Sequence, residues 1–236
     1  MKRFNKISPL LYRYLPRDLE LTAKLQEYKD TDDISFLGRF INEIVTPRLN
    51  ALETRLLSIA TEYQGKEVPR KIDGKVDGTI LVDKIYRGYA ERLGRRIRLL
   101  QGIPIISGEE EAKINDTLSD IVYMGVAAFS IEANIANDIR HLFRSEIEEV
   151  TIPWDEERVG SSTMPHKINP ADFENIVSLW KAYLPKASSA ILAQITEHQG
   201  DSTNEFLLPM TLELLVALSY ATKSLQNSLE NLKINV

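Results

Sequence analysis

Apolar residues in this chain return every three or four positions through most of its length, a spacing that suits long amphipathic helices and little else. A first run takes in Phe36, Phe40, Ile44, Leu49, Leu52, Leu56 and Ile59, with Pro47 inside it as an expected kink. A second runs through Ile80, Ile85, Tyr89, Leu93, Ile97 and Leu100 to a stop at Gly102-Ile103-Pro104. Glu109, Glu110 and Glu111 suit the first turn of a third helix, because carboxylates complement the helix dipole there. Ile114, Leu118, Ile121, Val126, Phe129, Ile135 and Leu142 carry that helix to about residue 147. Two further helices are expected from about 171 to 197 and from about 205 to 232. Residues 64–78 (Gly65, Pro69, Gly74, Gly78) and 150–170 (Pro153, Gly160, Pro165, Pro170) read as loops. Residues 1–33 read as an irregular opening with a short helical piece around 16–28. No strand alternation, repeat or low-complexity tract stands out, so the expected fold is all-α, a bundle of five long helices. The third helix is apolar on nearly every side, with Met124, Ala127, Ala128 and Ala133 around its middle. Such a helix is buried on most faces, and a chain this small is not expected to surround it alone; an oligomer is the expectation.

Composition narrows the chemistry. Of 236 residues, 29 are Lys or Arg and 34 Asp or Glu, a formal net charge of -5 that offers no footprint for nucleic acid or an anionic membrane. No cysteine is present, which excludes disulfides, thiolate metal sites and a cysteine nucleophile. The three histidines, His141, His166 and His198, do not cluster as zinc ligands do, so no metal is expected. No uninterrupted apolar run is long enough to span a bilayer, and no apolar segment follows the basic start as in a signal peptide. These features suit a cytoplasmic protein.

The stretch with the densest chemistry is Arg158-Val159-Gly160-Ser161-Ser162-Thr163-Met164-Pro165-His166-Lys167-Ile168-Asn169-Pro170. Two hydroxyls follow a glycine, and a lysine and an asparagine follow them. A plain polar loop capping the next helix has this composition. So does an anion-handling loop, in which Lys167 stabilises a deprotonated Ser161 and Asn169 offers donors to a carboxylate.

The run from Gly160 to Pro170 resembles the signature of the fumarase/aspartase superfamily. Extended through Ala171-Asp172-Phe173-Glu174-Asn175, it resembles the adenylosuccinate lyases in particular. The resemblance implies that Ser161 is the base that removes the Cβ proton. It implies that Ser162, Lys167 and Asn169 hold substrate carboxylates, and that Met164 packs beside the substrate. Asn5 through Arg13-Tyr14 resembles the family's N-terminal stretch, in which the Arg-Tyr pair contacts the nucleotide phosphate. Asp138-Ile139-Arg140-His141-Leu142, Ser178-Leu179-Trp180 and Thr196-Glu197-His198-Gln199 resemble the helices around the loop. The resemblance covers residues 115–236 well and the earlier part in patches. It implies β-elimination releasing fumarate from a succinylated nucleotide, no cofactor, and a homotetramer whose sites are shared between subunits. It also implies a division into a reduced N-terminal segment (1–33) and a central bundle domain (34–236), with the family's C-terminal domain absent.

Some family positions are occupied differently. The first family motif appears as Asp30-Thr31-Asp32-Asp33-Ile34, with acid in place of a substrate-binding serine. The second appears as Pro69-Arg70-Lys71-Ile72-Asp73-Gly74, without the histidine that serves as general acid. Gly200 stands where an arginine follows the Glu-His-Gln stretch. His198 is then the expected substitute acid, with Lys71, Asp73 and His141 as other available groups. A catalytically degenerate paralogue that assembles with a full-length lyase, and a cofactor-free cycloisomerase, are the alternatives. His141, one turn from Asp138, is expected to be a structural hydrogen-bonding residue. Arg92, Arg95, Arg96 and Arg98 are expected to form a solvated helix face.

Overall fold

A computed structural model describes residues 15–27, 35–72, 75–104, 111–152, 169–195 and 204–236 of the chain. A 3-10 turn at Leu15–Arg17 leads into α1 (Leu19–Glu27), and Asp18 caps it by accepting the Leu21 N–H at 3.1 Å. The first long helical stretch is α2 (Ser35–Phe40), a π turn (Ile41–Val45) and α3 (Thr46–Glu62) in continuous succession. Pro47 accounts for the π turn. It lacks an N–H, and its ring would crowd the carbonyl four residues back. The wider turn, in which the Thr46 N–H reaches Ile41 O, relieves that crowding, so Pro47 begins α3 instead of ending the helix.

Residues 64–78 differ from the expected loop. They hold most of an antiparallel hairpin, β1 (Glu67–Ile72) and β2 (Lys75–Leu81). Two residues of β2, Asp77 and Gly78, lie opposite the single Arg70 between the pairs Pro69–Thr79 and Lys71–Val76. Gly78 takes φ 92° there, a bulge geometry that favours glycine. The sequence signal is Asp73-Gly74 between Ile72 and Lys75, a strong hairpin dipeptide.

From the hairpin the chain enters α4 (Val82–Gln101), which packs along α3, and then α5 (Glu111–Leu142). After α5 come β3 (Val150–Thr151), α6 (Ala171–Tyr183), α7 (Lys186–Leu192), α8 (Leu207–Glu230) and β4 (Lys233–Ile234). The expected fourth helix is thus two, because Pro185 cannot continue the ladder begun at Ala171. β4 pairs with β3, and Asn235 N–H adds a bond to Glu149 O at 2.9 Å.

The core lies between α3, α4, α5, α6 and α8, with Phe40, Leu49, Leu52, Leu56, Leu93, Phe129, Phe173 and Leu215 fully inside. α5 packs against α4, α6, α7 and α8. By length and composition its segment Ile114–Leu142 could cross a membrane, with mean hydropathy 1.2; uninterrupted apolar runs did not suggest this. Yet 67% of its apolar window is buried against the chain's own helices. The same burial corrects the argument for an oligomer, since one chain covers most of this helix. Only a stripe including Asp120, Tyr123, Ala127, Ser130 and Asn134 stays partly or fully open.

Two buried polar clusters interrupt the apolar packing. Arg48 on α3 grips Asp18 through Nη1 to Oδ2 at 2.5 Å and Nη2 to Oδ1 at 3.0 Å, and donates to Ser219 O at 3.2 Å. Burial opposes ionisation of Asp18. The Arg48 hydrogen bond, the Leu21 N–H and the charges of Arg48 and Lys223 outweigh it, so the carboxyl titrates below its ordinary range. Deeper in, Glu132 on α5 is completely buried and meets Thr222 on α8 at 2.6 Å.

Candidate functional site

The chemistry-bearing loop leaves the bundle at Ile152, just past β3, and returns at Asn169, just before α6. Both anchors are built locally. β3 is held by β4, and α6 begins at Pro170 with Asp172 and Glu174 in its first turn, where carboxylates complement the dipole. The Ala171 N–H bonds Asn169 O at 2.8 Å, and the Glu174 N–H bonds Pro170 O at 3.0 Å.

Ile152 and the first residues of the returning chain line one cleft, which Asn169 itself does not line. Ile152 lies on one side, Pro170, Asp172 and Phe173 on another, and Ser224, Asn227 and Ser228 of α8 with Asn231 at its C-cap complete it. Its volume is about 210 Å³, room for a small dicarboxylate. The α8 side is a ladder of hydroxyls and amides at helical spacing, i, i+3, i+4 and i+7, on a polar face of a helix otherwise packed into the core. Sequence reasoning missed this face. The signal was present as Ser224, Asn227, Ser228 and Asn231 in an apolar run, but these residue types also fill ordinary solvated faces. Arg140, near the end of α5, was missed as well. Its Nη2 lies 3.9 Å from Glu174 Oε1 and its Nη1 donates to Asn137 Oδ1 at 3.3 Å, so a cation stands over the first turn of α6.

Of the residues expected in the site, Asn169 is described, exposed at the point where the loop rejoins the bundle. Ser161, Ser162, Met164, Lys167, His198, Arg13 and Tyr14 lie outside the described residues, as do Asp73, His166 and Gly200. His141 does not pair with Asp138 among the described bonds. Asp138 instead accepts the hydroxyl of Tyr89 from α4, and that hydroxyl's pKa is raised by burial, by the bond and by the carboxylate's charge. Arg92, Arg95 and Arg98 are exposed as expected, and Arg92 sits over the Tyr89 ring at 5.9 Å. Trp180 is half-buried and donates to Ser130 Oγ at 2.9 Å. Among the described residues, no group of three or more His, Asp or Glu could hold a metal ion.

The chain is similar to known lyases. The family described as "Lyase" matches residues 83–181, from the start of α4 to the end of α6 with the loop between. An adenylosuccinate lyase of Pyrococcus horikoshii is 28% identical over 178 residues, 74% of this chain and 39% of that protein. One from Archaeoglobus fulgidus is 26% identical over 235 residues, 92% of this chain and 51% of that protein. An N-acetyl-S-(2-succino)cysteine lyase of Enterococcus italicus is 40% identical over 68 residues, 29% of this chain and 15% of that protein. The chain therefore spans about half the length of the curated relatives it matches, or less. A solved fumarate lyase/delta crystallin from Brucella melitensis superposes with a TM-score of 0.72 at 16% identity, covering 86% of this chain and 53% of that one, which speaks for the fold. The family match, the relatives and the helical architecture together support a place for the chain in the fumarase/aspartase superfamily, close to the adenylosuccinate lyases.

Proposed function

We propose that the chain catalyses β-elimination of a succinylated purine nucleotide, breaking its C–N bond and releasing fumarate. The run Gly160–Pro170 carries this reading. Under it, Ser161 takes the proton from Cβ, and the electron pair left behind is delocalised into the adjacent carboxylate, which Ser162, Lys167 and Asn169 hold. Collapse of that pair forms the carbon–carbon double bond of fumarate and expels the amine, which His198 protonates in place of the histidine missing from the second motif. Met164 packs against the substrate, and Arg13 with Tyr14 holds its phosphate. No metal or organic cofactor is required, because both proton transfers and the charge stabilisation fall to side chains.

The cleft between the loop's anchors supports this reading, since Ser224, Asn227, Ser228 and Asn231 offer hydrogen-bond donors to a substrate carboxylate on the wall away from Asp172's helix. By its resemblance to the family, a homotetramer with sites shared between subunits and a cytoplasmic setting belong to the same reading. A second reading, with sulfur as the leaving atom, is favoured by the match to N-acetyl-S-(2-succino)cysteine lyase. A non-catalytic assembly role is favoured by Asp32 and Gly200 at family binding positions.

Fumarate release from adenylosuccinate and from N-acetyl-S-(2-succino)cysteine separates the three. The first reading expects adenylosuccinate as the better substrate and a loss of roughly 10²–10⁴-fold in Ser161→Ala. Equal rates for wild type and variant on both substrates would leave the assembly role alone.

A further inference from the structure

A second cavity, of about 240 Å³, lies between the hairpin and α5, and it shares no lining residue with the cleft under the loop. Val68 and Ile80 line it from the hairpin, Tyr86 and Tyr89 from α4, and Ile135 and Ile139 from α5. Val150 of β3 and Ile234 of β4 complete the apolar part. Ile135, Ile139 and Val150 are 1–2% exposed, whereas Ile80, Asp138 and His141 are open to solvent, which places the mouth at those three.

The walls specify a ligand class. A dry apolar cavity of about 150 Å³ holds a benzene ring. The volume here takes a ring with a short side arm. At the mouth the Asp138 carboxylate, held by the Tyr89 hydroxyl, keeps acceptor capacity on its second oxygen. Glu149 lines the same cavity, and Arg92 is placed over the Tyr89 ring. A carboxylate at the opening repels anions and accepts a hydrogen bond from a donor.

We propose that this cavity binds a small molecule with one aromatic ring and an amine or hydroxyl donor, the ring among Tyr86, Ile135 and Ile139 and the donor at Asp138. Calorimetric titration of the full chain with phenethylamine, phenethyl alcohol and hydrocinnamate tests it. The amine and the alcohol bind saturably at one site, and hydrocinnamate binds at least tenfold more weakly. Ile80→Trp, which fills the partly exposed mouth, weakens amine binding at least tenfold, and Asp138→Asn removes the preference for amine over carboxylate. Methyl NMR of Ile135 and Ile139 in the wild type reads occupancy without any variant, as shifts that saturate with added amine. Absence of saturable binding, unshifted methyls, or equal affinity for hydrocinnamate in the wild type overturns the proposal.

Discussion

Replacing Glu132 by glutamine should make the protein's stability less sensitive to pH, and in a defined direction. The carboxyl is 0% exposed, and Oε2 has no hydrogen-bond partner among the described residues. Burial raises its pKa well above 4.5, and the bond to Thr222 pulls it back only in part. The neutral form also fits the local bonding better. Thr222 has one hydroxyl hydrogen, and Leu218 O at 2.8 Å competes for it with Glu132 Oε1 at 2.6 Å. A protonated carboxyl resolves the competition by donating to Thr222, which then donates to Leu218. Above the ordinary value of 4.5 the unfolded chain has released this proton while the folded chain retains it. Stability due to this group is therefore fully present below that value and declines as pH rises toward the raised native value. The slope is about 1.4 kcal/mol per pH unit. Glutamine keeps the shape and the donor and cannot ionise. Urea unfolding of wild type and Glu132→Gln at intervals of pH from weakly acidic to weakly alkaline should show the variant gaining on the wild type at that slope. Parallel stability curves would refute the reasoning, because they would mean that Glu132 is solvated or paired when charged.

Asp18 has the opposite sign: its lowered pKa gives stability that is present above 3.8 and lost as pH falls through the native value. Arg48→Ala should cost about 3 kcal/mol in denaturant unfolding at neutral pH, because it leaves a buried carboxylate with only the Leu21 N–H and the partly exposed Lys223 as partners. Adding Asp18→Asn should recover part of that. Gly88→Ala should raise stability by about 0.5–1 kcal/mol in thermal unfolding, since a Cβ there meets no atom within 4 Å in mid-helix. Gly78→Ala should lower it by about 1–2 kcal/mol in the same measurement, since φ 92° strains any L side chain.

The helices were legible because burial imposes a repeat on sequence: Leu52, Leu56 and Ile59 announce their face without knowledge of what covers it. The hairpin was not, since its residues were read through their glycines and prolines, and a bulge breaks the alternation at Asp77-Gly78. Partners across elements were illegible for another reason. Asp138 and His141 sit one turn apart, so a local pairing looked natural, but Tyr89 arrives from another helix and takes the carboxylate. The site's chemistry was legible in the run Gly160–Pro170, whereas the polar face of α8 gains meaning only once the fold brings it to Ile152 and Pro170.

The π turn at Ile41–Val45 acts as a rotational spacer. One added residue per turn rotates the remainder of the helix by about 100° relative to a regular α-helix. The chain uses that offset to point both Phe36-Phe40 and Leu49-Leu52 inward. Removing a single residue between 41 and 45 together with Pro47→Ala would yield a straighter, better hydrogen-bonded rod. One of those two apolar rows would then face water. Alignment with any relative whose first long helix is regular should accordingly place its gap inside this helix and not in a neighbouring loop.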